Sequence, residues 1–266
     1  MVLDSILLKK REEVSSSRAL RPISVLEKGI GGAPAPRPLF RDASLGSRDR
    51  PPLVIAEMKR MSPSRGLIRD PYDPLDLAIR YDRHGAGAFS ILTDGPFFGG
   101  SLGDLELVRS SLAGRRHPIL RKDFIIDPYQ IYESRWAGAD LILLIVRILP
   151  QSLLVELQEL ARMLEMTALV ETHTEEEVLR ALDAGASLVG INHRDLDTLE
   201  IDLDRGERLA AMIPDNVRKI AESGLKTSSD YHRMQRLGFD GVLVGESFLS
   251  SPDPGRALDE FCGNLG

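Results

Sequence analysis

The chain has 266 residues, 42% of them hydrophobic and 28% charged, which is enough for one large core and suits a single α/β barrel. Its net charge of -6 argues against a nucleic-acid partner, because such proteins are usually basic. The one cysteine, Cys262, excludes an internal disulfide and a cysteine-rich zinc site, and no run approaches the ~18 apolar residues of a membrane span. Residues 1–13 lack the apolar stretch of a secretory signal, so a cytoplasmic location is expected.

The first 50 residues stand apart from the rest. Leu3, Ile6, Leu7 and Val14 are spaced for one side of an amphipathic helix, with Lys9, Lys10, Arg11, Glu12 and Glu13 mostly on the other sides. The apolar pair Val25-Leu26 is followed by a Gly/Pro/Ala-rich loop over 29–38, and 41–52 reads as polar and irregular. The expected organisation is a helical extension over 1–50, covering the mouth of a catalytic unit over 51–266.

From Leu53 onward one pattern repeats: a short apolar run, a polar turn, then a stretch of helical periodicity. The apolar runs are 53–56, 88–92, 118–120, 141–146, 168–170, 188–191, 217–221 and 241–244. Helical stretches include 74–84, 128–137, 150–164, 175–184, 205–212 and 228–237, with Pro74 and Pro150 in first turns and Gly85, Gly138, Gly185 and Gly238 as C-caps. Eight such units predict a (β/α)8 barrel with an N-terminal helical extension. The competing open doubly wound sheet would place a Gly-rich turn after its first strand, where this chain has Ser62-Pro63-Ser64.

Barrel enzymes build their sites at the C-terminal ends of the strands. Those positions carry Glu57 and Lys59; Thr93 and Asp94, then a long loop with Phe97-Phe98-Gly99-Gly100-Ser101; Arg121 to Phe124; Arg147; Glu171; Asn192 and Arg194; Glu222 to Gly224; and Gly245 to Ser247. Glu57 and Lys59 are two apart and share a strand face, an unfavourable way to end a buried strand unless they are paired. Leu120, Lys122 and Phe124 share a face, as do Leu169 and Glu171, and Gly190, Asn192 and Arg194. If the apolar members point inward, so do Lys122, Glu171 and Asn192. Ser223-Gly224 and Gly245-Glu246, after the seventh and eighth strands, suit a phosphate: glycine lets backbone N–H groups come close, and a helix N-terminus favours negative charge. Ser62 is placed to close the same site. None of the five histidines has metal-ligand spacing, and His193 alternates to the opposite face from Asn192 and Arg194, which reads as structural. Trp136 reads as packing, and Arg147 is expected to pair with a neighbouring acid.

These motifs together resemble the indole-3-glycerol-phosphate synthase family over nearly the whole chain. The resemblance rests on Glu57-x-Lys59-x-x-Ser62-Pro63-Ser64-x-Gly66, Leu92-Thr93-Asp94, Leu120-Arg121-Lys122-Asp123-Phe124, Leu169-Val170-Glu171-Thr172-His173, Gly190-Ile191-Asn192-His193-Arg194, Glu222-Ser223-Gly224 and Val244-Gly245-Glu246-Ser247. Met61 and His193 depart from the common pattern, which has alanine and asparagine or serine there.

The resemblance implies a carbon–carbon lyase of tryptophan biosynthesis. It would close the ring of 1-(2-carboxyphenylamino)-1-deoxyribulose 5-phosphate, release carbon dioxide and dehydrate the product to the indole. By this analogy Lys122 is the acid of ring closure, and Lys59 binds the substrate carboxylate and helps the later dehydration. Glu171 is acid or base in the dehydration, and Glu57 and Asn192 orient substrate and lysines. Phe98 and Phe124 wall the aromatic ring, Arg194 meets the carboxylate or the loops, and Ser62, Ser223, Gly224, Leu243, Gly245 and Glu246 complete the substrate contacts. The only partner expected is the phosphorylated substrate, with no cofactor, metal, nucleic acid or membrane, and a monomer is favoured. Two other readings remain open. A phosphoribosylanthranilate isomerase would need a catalytic cysteine, and Cys262 lies near the C-terminus. A catalytically silent phosphate-binding barrel would have little reason to keep two lysines and two glutamates facing one cavity.

Overall fold

Short runs rich in Val, Ile and Leu with no polar alternation are what strands buried on both faces require. The computed structural model describes residues 2–40, 50–196 and 198–264, and in it each of the eight runs becomes a strand. They are β1 (Leu53–Met58), β4 (Ala88–Leu92), β5 (Ile119–Lys122), β6 (Leu141–Ile145), β7 (Thr167–Thr172), β8 (Leu188–Asn192), β9 (Arg218–Glu222) and β10 (Gly241–Val244). Between the first two, β2 (Met61–Ser62) and β3 (Gly66–Leu67) form a separate antiparallel hairpin. The eight long strands are all parallel and closed, in chain order, with β1 pairing to both β4 and β10.

Side-chain alternation divides the core in two. Ile55, Ala88, Leu120, Leu143, Leu169, Leu188, Ile220 and Leu243 fill the barrel interior. Val54, Ala56, Phe89, Ile91, Ile142, Val170, Val189 and Val242 pack outward under the helices. Those helices are α3 (Pro74–Arg83), α5 (Leu102–Ser111), α6 (Pro128–Ala137), α7 (Gln151–Met163), α8 (Glu175–Asp183), α9 (Leu203–Ala210), α10 (Ser228–Arg236) and α12 (Pro254–Cys262), with one-turn helices α4 (Gly95–Phe98) and α11 (Glu246–Leu249). Their starts are written locally: Asp73, Asp127, Thr174, Asp202, Thr227 and Asp253 each accept backbone N–H groups of the first turn. Gly85, Gly138, Gly185 and Gly238 all have positive φ, as C-cap positions demand.

Several local expectations need correction. The segment around Val25-Leu26 is a helix, α2 (Ile23–Ile30), which follows α1 (Val2–Leu20). Gly29 therefore sits inside a helix, where a Cβ would come 2.6 Å from the Trp136 ring, so the glycine serves close packing there. The ninth helix starts at Leu203 rather than 205, because Asp202 caps it, and ends at Ala210. Pro150 is the N-cap of α7 and not a first-turn residue. The segment at Phe97-Phe98 is a helical turn capped by Asp94. Residues 41–49, read as irregular, lie outside the described residues.

The N-terminal segment touches both ends of the barrel. At the C-terminal mouth, α1 contributes Leu3 and Ile6 to the lining of the central cavity. Leu26 of α2 is fully buried in a cluster with Val14, Tyr129 and Trp136, and the Arg21 guanidinium lies 3.8 Å from the Trp136 ring centroid. The chain then runs to the N-terminal end. There the Arg37 N–H donates to Asp140 (2.7 Å), which Arg109 also clasps (2.9 Å), and Leu39 and Phe40 join the interior cluster.

The interior layer yields a stability prediction. Leu169 has no exposed surface, so Leu169→Ala should cost about 2–5 kcal/mol, read as a lower denaturant midpoint at unchanged m-value. Leu179, 54% exposed on α8, should tolerate alanine within about 0.5 kcal/mol.

Candidate active site

A cavity of about 400 Å³ opens at the C-terminal ends of the strands. Its floor is polar because the alternation that points Leu120, Leu169, Gly190 and Ile220 inward also points Lys122, Glu171, Asn192 and Glu222 inward, one step further along each strand. The Lys122 ammonium lies 2.9 Å from Glu171 Oε2 and 3.1 Å from Glu222 Oε2. Asn192 Nδ2 donates to the other Glu171 oxygen at 3.1 Å, and Asn192 Oδ1 accepts the Arg194 N–H at 3.0 Å. Beside this group, Lys59 Nζ donates to Glu57 Oε1 at 2.6 Å.

The electrostatics follow from who is paired with whom. Burial disfavours the Lys122 ammonium, but Glu171, Glu222 and Glu57 outweigh it and hold the pKa well above the ordinary lysine range. Burial likewise opposes the Glu171 carboxylate, yet Lys122 and His173 hold its pKa far below the usual value. Glu222 goes the other way. Burial raises it, the Lys122 charge offsets part of that, and the neighbouring Glu171 and Glu57 charges add to it, so it is pushed up to about 7. Geometry agrees with this division. Glu171 accepts hydrogen bonds from Lys122 and Asn192 and lies 3.3 Å from His173 Nε2, whereas among the described residues no hydrogen bond reaches either Glu222 oxygen and its one cationic contact is Lys122 at 3.1 Å.

Two interior glycines make room for these carboxylates. A Cβ on Gly190 would overlap Glu222 Oε1, and one on Gly245 would come 2.6 Å from Glu57 Oε1. Behind Glu171 stands His173, buried, with Nε2 3.3 Å from Glu171 Oε1 and Nδ1 3.0 Å from Glu177 Oε2. Burial would lower its pKa, but the two glutamates raise it to about 9, so the ring is an imidazolium at neutral pH.

Every residue named for the site from sequence lines this one cavity: Glu57, Lys59, Ser62, Phe98, Lys122, Phe124, Glu171, Asn192, Arg194, Ser223, Gly224, Leu243, Gly245 and Glu246. Phe98 and Phe124 stand on one side with ring centroids 6.1 Å apart. Ser62, Ser223, Gly224, Lys226, Gly245 and Ser247 also line the cavity, from the segments that follow the neighbouring strands β1, β9 and β10. Ser223 and Gly224 are consecutive left-handed residues, φ 66° and 78°. Glu246 is engaged by Arg65 (3.1 Å) and Arg194 (3.3 Å), which keeps its charge from standing alone at the rim.

Sequence reading passed over Glu222, His173 and Lys226 as individual members. The period-2 signal that singled out Lys122 applies equally to Ile220 and Glu222, and to Glu171 and His173; Lys226 carries no such signal. The remaining histidines are accounted for elsewhere. His193 is buried, with Nδ1 3.0 Å from the Ser223 carbonyl and its ring against Gly206; His84 and His117 meet Asp259 and Asp82; His232 is exposed.

The chain is similar to known proteins. The family model described as indole-3-glycerol phosphate synthase matches residues 3–261. The protein of that name from Mycobacteroides abscessus is 48% identical over 257 residues, covering 97% of this chain and 92% of the relative. The one from Dehalococcoides mccartyi strain CBDB1 is 43% identical over 260 residues, covering 98% and 99%. Among solved structures, a 3-hexulose-6-phosphate synthase from Salmonella typhimurium superposes with a TM-score of 0.65 at 13% identity, over 80% of this chain and 98% of that one. That likeness shows the barrel fold alone. With the family match running almost from end to end, the chain belongs to the indole-3-glycerol phosphate synthase family.

Proposed function

We propose that this chain catalyses its family's reaction: 1-(2-carboxyphenylamino)-1-deoxyribulose 5-phosphate to indole-3-glycerol phosphate, carbon dioxide and water. The observation that carries the reading is the Lys122 ammonium, held between Glu171 and Glu222 on the floor of a cavity with an aromatic side and a Ser/Gly/Lys rim. Such a cavity fits a ligand with an aryl carboxylate at one end and a phosphate at the other. Among the described residues no helix is long and apolar enough to cross a membrane, and we take the enzyme to work in the cytoplasm.

In ring closure the aryl carbon bearing the carboxylate attacks the ketone carbon. Lys122, protonated at any working pH, gives its proton to the ketone oxygen, which as a developing alkoxide is basic enough to take it. Carbon dioxide leaves, and its bonding electrons restore the aromatic ring. In the dehydration the hydroxyl needs a proton and the carbon next to nitrogen must lose one. Glu171 is ionised, so near neutrality it has no proton to give and is placed to accept one; this narrows its role to the base. Glu222 is the carboxyl in the site that is protonated near neutrality, and it suits the acid. Two protons are given, one is taken, and one from solvent replaces the charge lost with the carboxylate. Lys59, oriented by Glu57, faces the substrate carboxylate, and Asn192 holds Glu171 in place. Phe98, Phe124 and Leu243 wall the ring. Ser62, Ser223, Gly224, Gly245 and Lys226 receive the phosphate, and Arg194 with Glu246 braces the loops around it. Leu3 and Ile6 of α1 cover the mouth.

Three measurements test these roles. Lys122→Met keeps the length of the side chain and removes the proton; single-turnover indole formation should slow by at least about 10²-fold, the low end for losing a general acid. Breaking a buried pair from one side costs about 3–5 kcal/mol, so circular dichroism on the same samples separates lost chemistry from lost fold. Near-normal turnover in a folded protein would take lysine out of the acid role. Gly224→Ala puts a methyl group into Ile201 at a residue with φ 78°, and should raise KM with little change in kcat, because it removes binding rather than transition-state contacts.

The third concerns pH. Glu222 has its folded pKa above the ordinary glutamate value, so folding takes up a proton between pH 4.5 and about 7, and its contribution to stability falls as pH rises through that window. Glu222→Gln cannot ionise. Its Tm relative to the parent should therefore climb from pH 4.5 to 7 and level off above; a flat difference would rule out the raised carboxyl.

A further inference from the structure

The aromatic side of the cavity is assembled from three separate pieces of chain: Leu3 and Ile6 on α1, Phe98 on α4, and Phe124 just after β5. All belong to one apolar cluster, but apolar contact alone does not fix the relative position of three segments. A single buried ammonium touches all three. Lys10 lies one turn after Ile6 on the same face of α1 and is 3% exposed. Its Nζ is 2.8 Å from Asp123 Oδ1 and 3.1 Å from Asp94 Oδ2, both carboxylates also buried, and 2.6 Å from Glu13 Oε2. Asp94 caps the helical turn carrying Phe98, accepting the Phe97 N–H at 2.9 Å. Asp123 accepts the Phe124 N–H at 2.8 Å and the Thr93 hydroxyl at 2.6 Å, and pairs with Arg121 at 3.0 Å.

We propose that Lys10 is a positioning residue for the aromatic end of the substrate: by bridging Asp94 and Asp123 it sets the spacing between Leu3/Ile6, Phe98 and Phe124 that grips the aryl ring. The statement about substrate rests on the function proposed above; the statement about spacing does not. The charges explain the choice of an ammonium. Asp123 has Arg121 as a second cation, whereas Asp94 meets Lys10 as the only cation within ion-pair distance among the described residues. Without Lys10 the Asp94 carboxylate is stranded and the α4 turn moves with it.

The test uses the full chain with Lys10→Met. KM for the carboxyphenylamino substrate should rise about tenfold or more while kcat changes by less than about threefold, since lysine at position 10 meets no reacting atom. A competing probe for each end locates the defect: inhibition by anthranilate should weaken and inhibition by inorganic phosphate should not. Hydrogen exchange should quicken in 2–20 and 95–98, a readout independent of turnover. Lys9→Met, which loses only an exposed pair with Glu12, should behave as the parent does. If Lys10→Met does not fold, Lys10→Met with Asp94→Asn strands no charge and still accepts the Phe97 N–H; its KM should exceed that of Asp94→Asn alone. Unchanged KM, an equal loss of both inhibitors, or unchanged exchange in 2–20 and 95–98 would overturn the proposal. If the parent chain forms no indole, the function fails, while quickened exchange in both segments of the variant still sustains the positioning role.

Discussion

A lysine ringed by three carboxylates is the constraint on which the rest of the site depends. In water, Lys122, Glu57, Glu171 and Glu222 would each be charged and indifferent to one another. On the floor of a barrel they are not. Lys122, Lys59 and the His173 imidazolium are three cations among four buried carboxylates, Glu57, Glu171, Glu177 and Glu222, and a medium of low dielectric makes the excess charge costly. The excess settles on the carboxyl with the fewest partners. Lys122, Asn192 and the His173 imidazolium converge on Glu171 and hold its pKa down; Glu222, approached by Lys122 alone, has its pKa raised to about 7. Two chemically identical side chains thereby acquire opposite pKa shifts, and the difference is set by neighbours and not by residue type.

Packing had to yield for that to happen. Barrel interiors are filled like any other core, and a carboxylate that points inward competes for space with the residue on the next strand. Here the competitor has been removed. Gly190 on β8 leaves the volume that Glu222 occupies, and Gly245 after β10 leaves the volume for Glu57. Each glycine belongs to a strand or turn beside the carboxylate it accommodates, Asn192 pairing with Glu222 and Ala56 with Val244 in the register of the sheet. The same register brings residues from β1, β5, β7, β8 and β9 to one level, although they span more than half of the chain.

The N-terminal segment is tied into this structure by charge at both ends. Its helix α1 sends Lys10 down between Asp94 and Asp123 at the mouth, and its following stretch is pinned at the opposite end by the Arg37 backbone N–H, which donates to the buried Asp140 carboxylate. Both attachments bury ions, so each holds only while its partners are present. Apolar contact through Leu26 and Trp136 fills the span between them.

How much of this was legible beforehand depended on range. Strand and helix positions rest on contacts within a few residues, namely period-2 and period-3.6 apolar patterns, Asp and Thr caps, and C-cap glycines, and these were readable, with errors at Leu203 and Pro150 where a cap shifted a boundary. The helix at Ile23–Ile30 runs through Gly29, where the sequence reads as the start of a Gly/Pro/Ala loop, and only the Trp136 ring packed against that glycine shows why it is there. Alternation alone put Lys122, Glu171 and Asn192 on the inner face, and the same alternation held Glu222 in plain view. What no alternation states is which inward groups end up within 3 Å of each other, because that is set by the stagger between strands when the sheet closes. The sequence by itself determined the barrel, the membership of its inner face and the family. The protonation states of Glu171 and Glu222, the reason for Gly190, and the burial of Lys10 against two aspartates were decided by tertiary structure alone, since each is a property of distances between segments that no local pattern encodes.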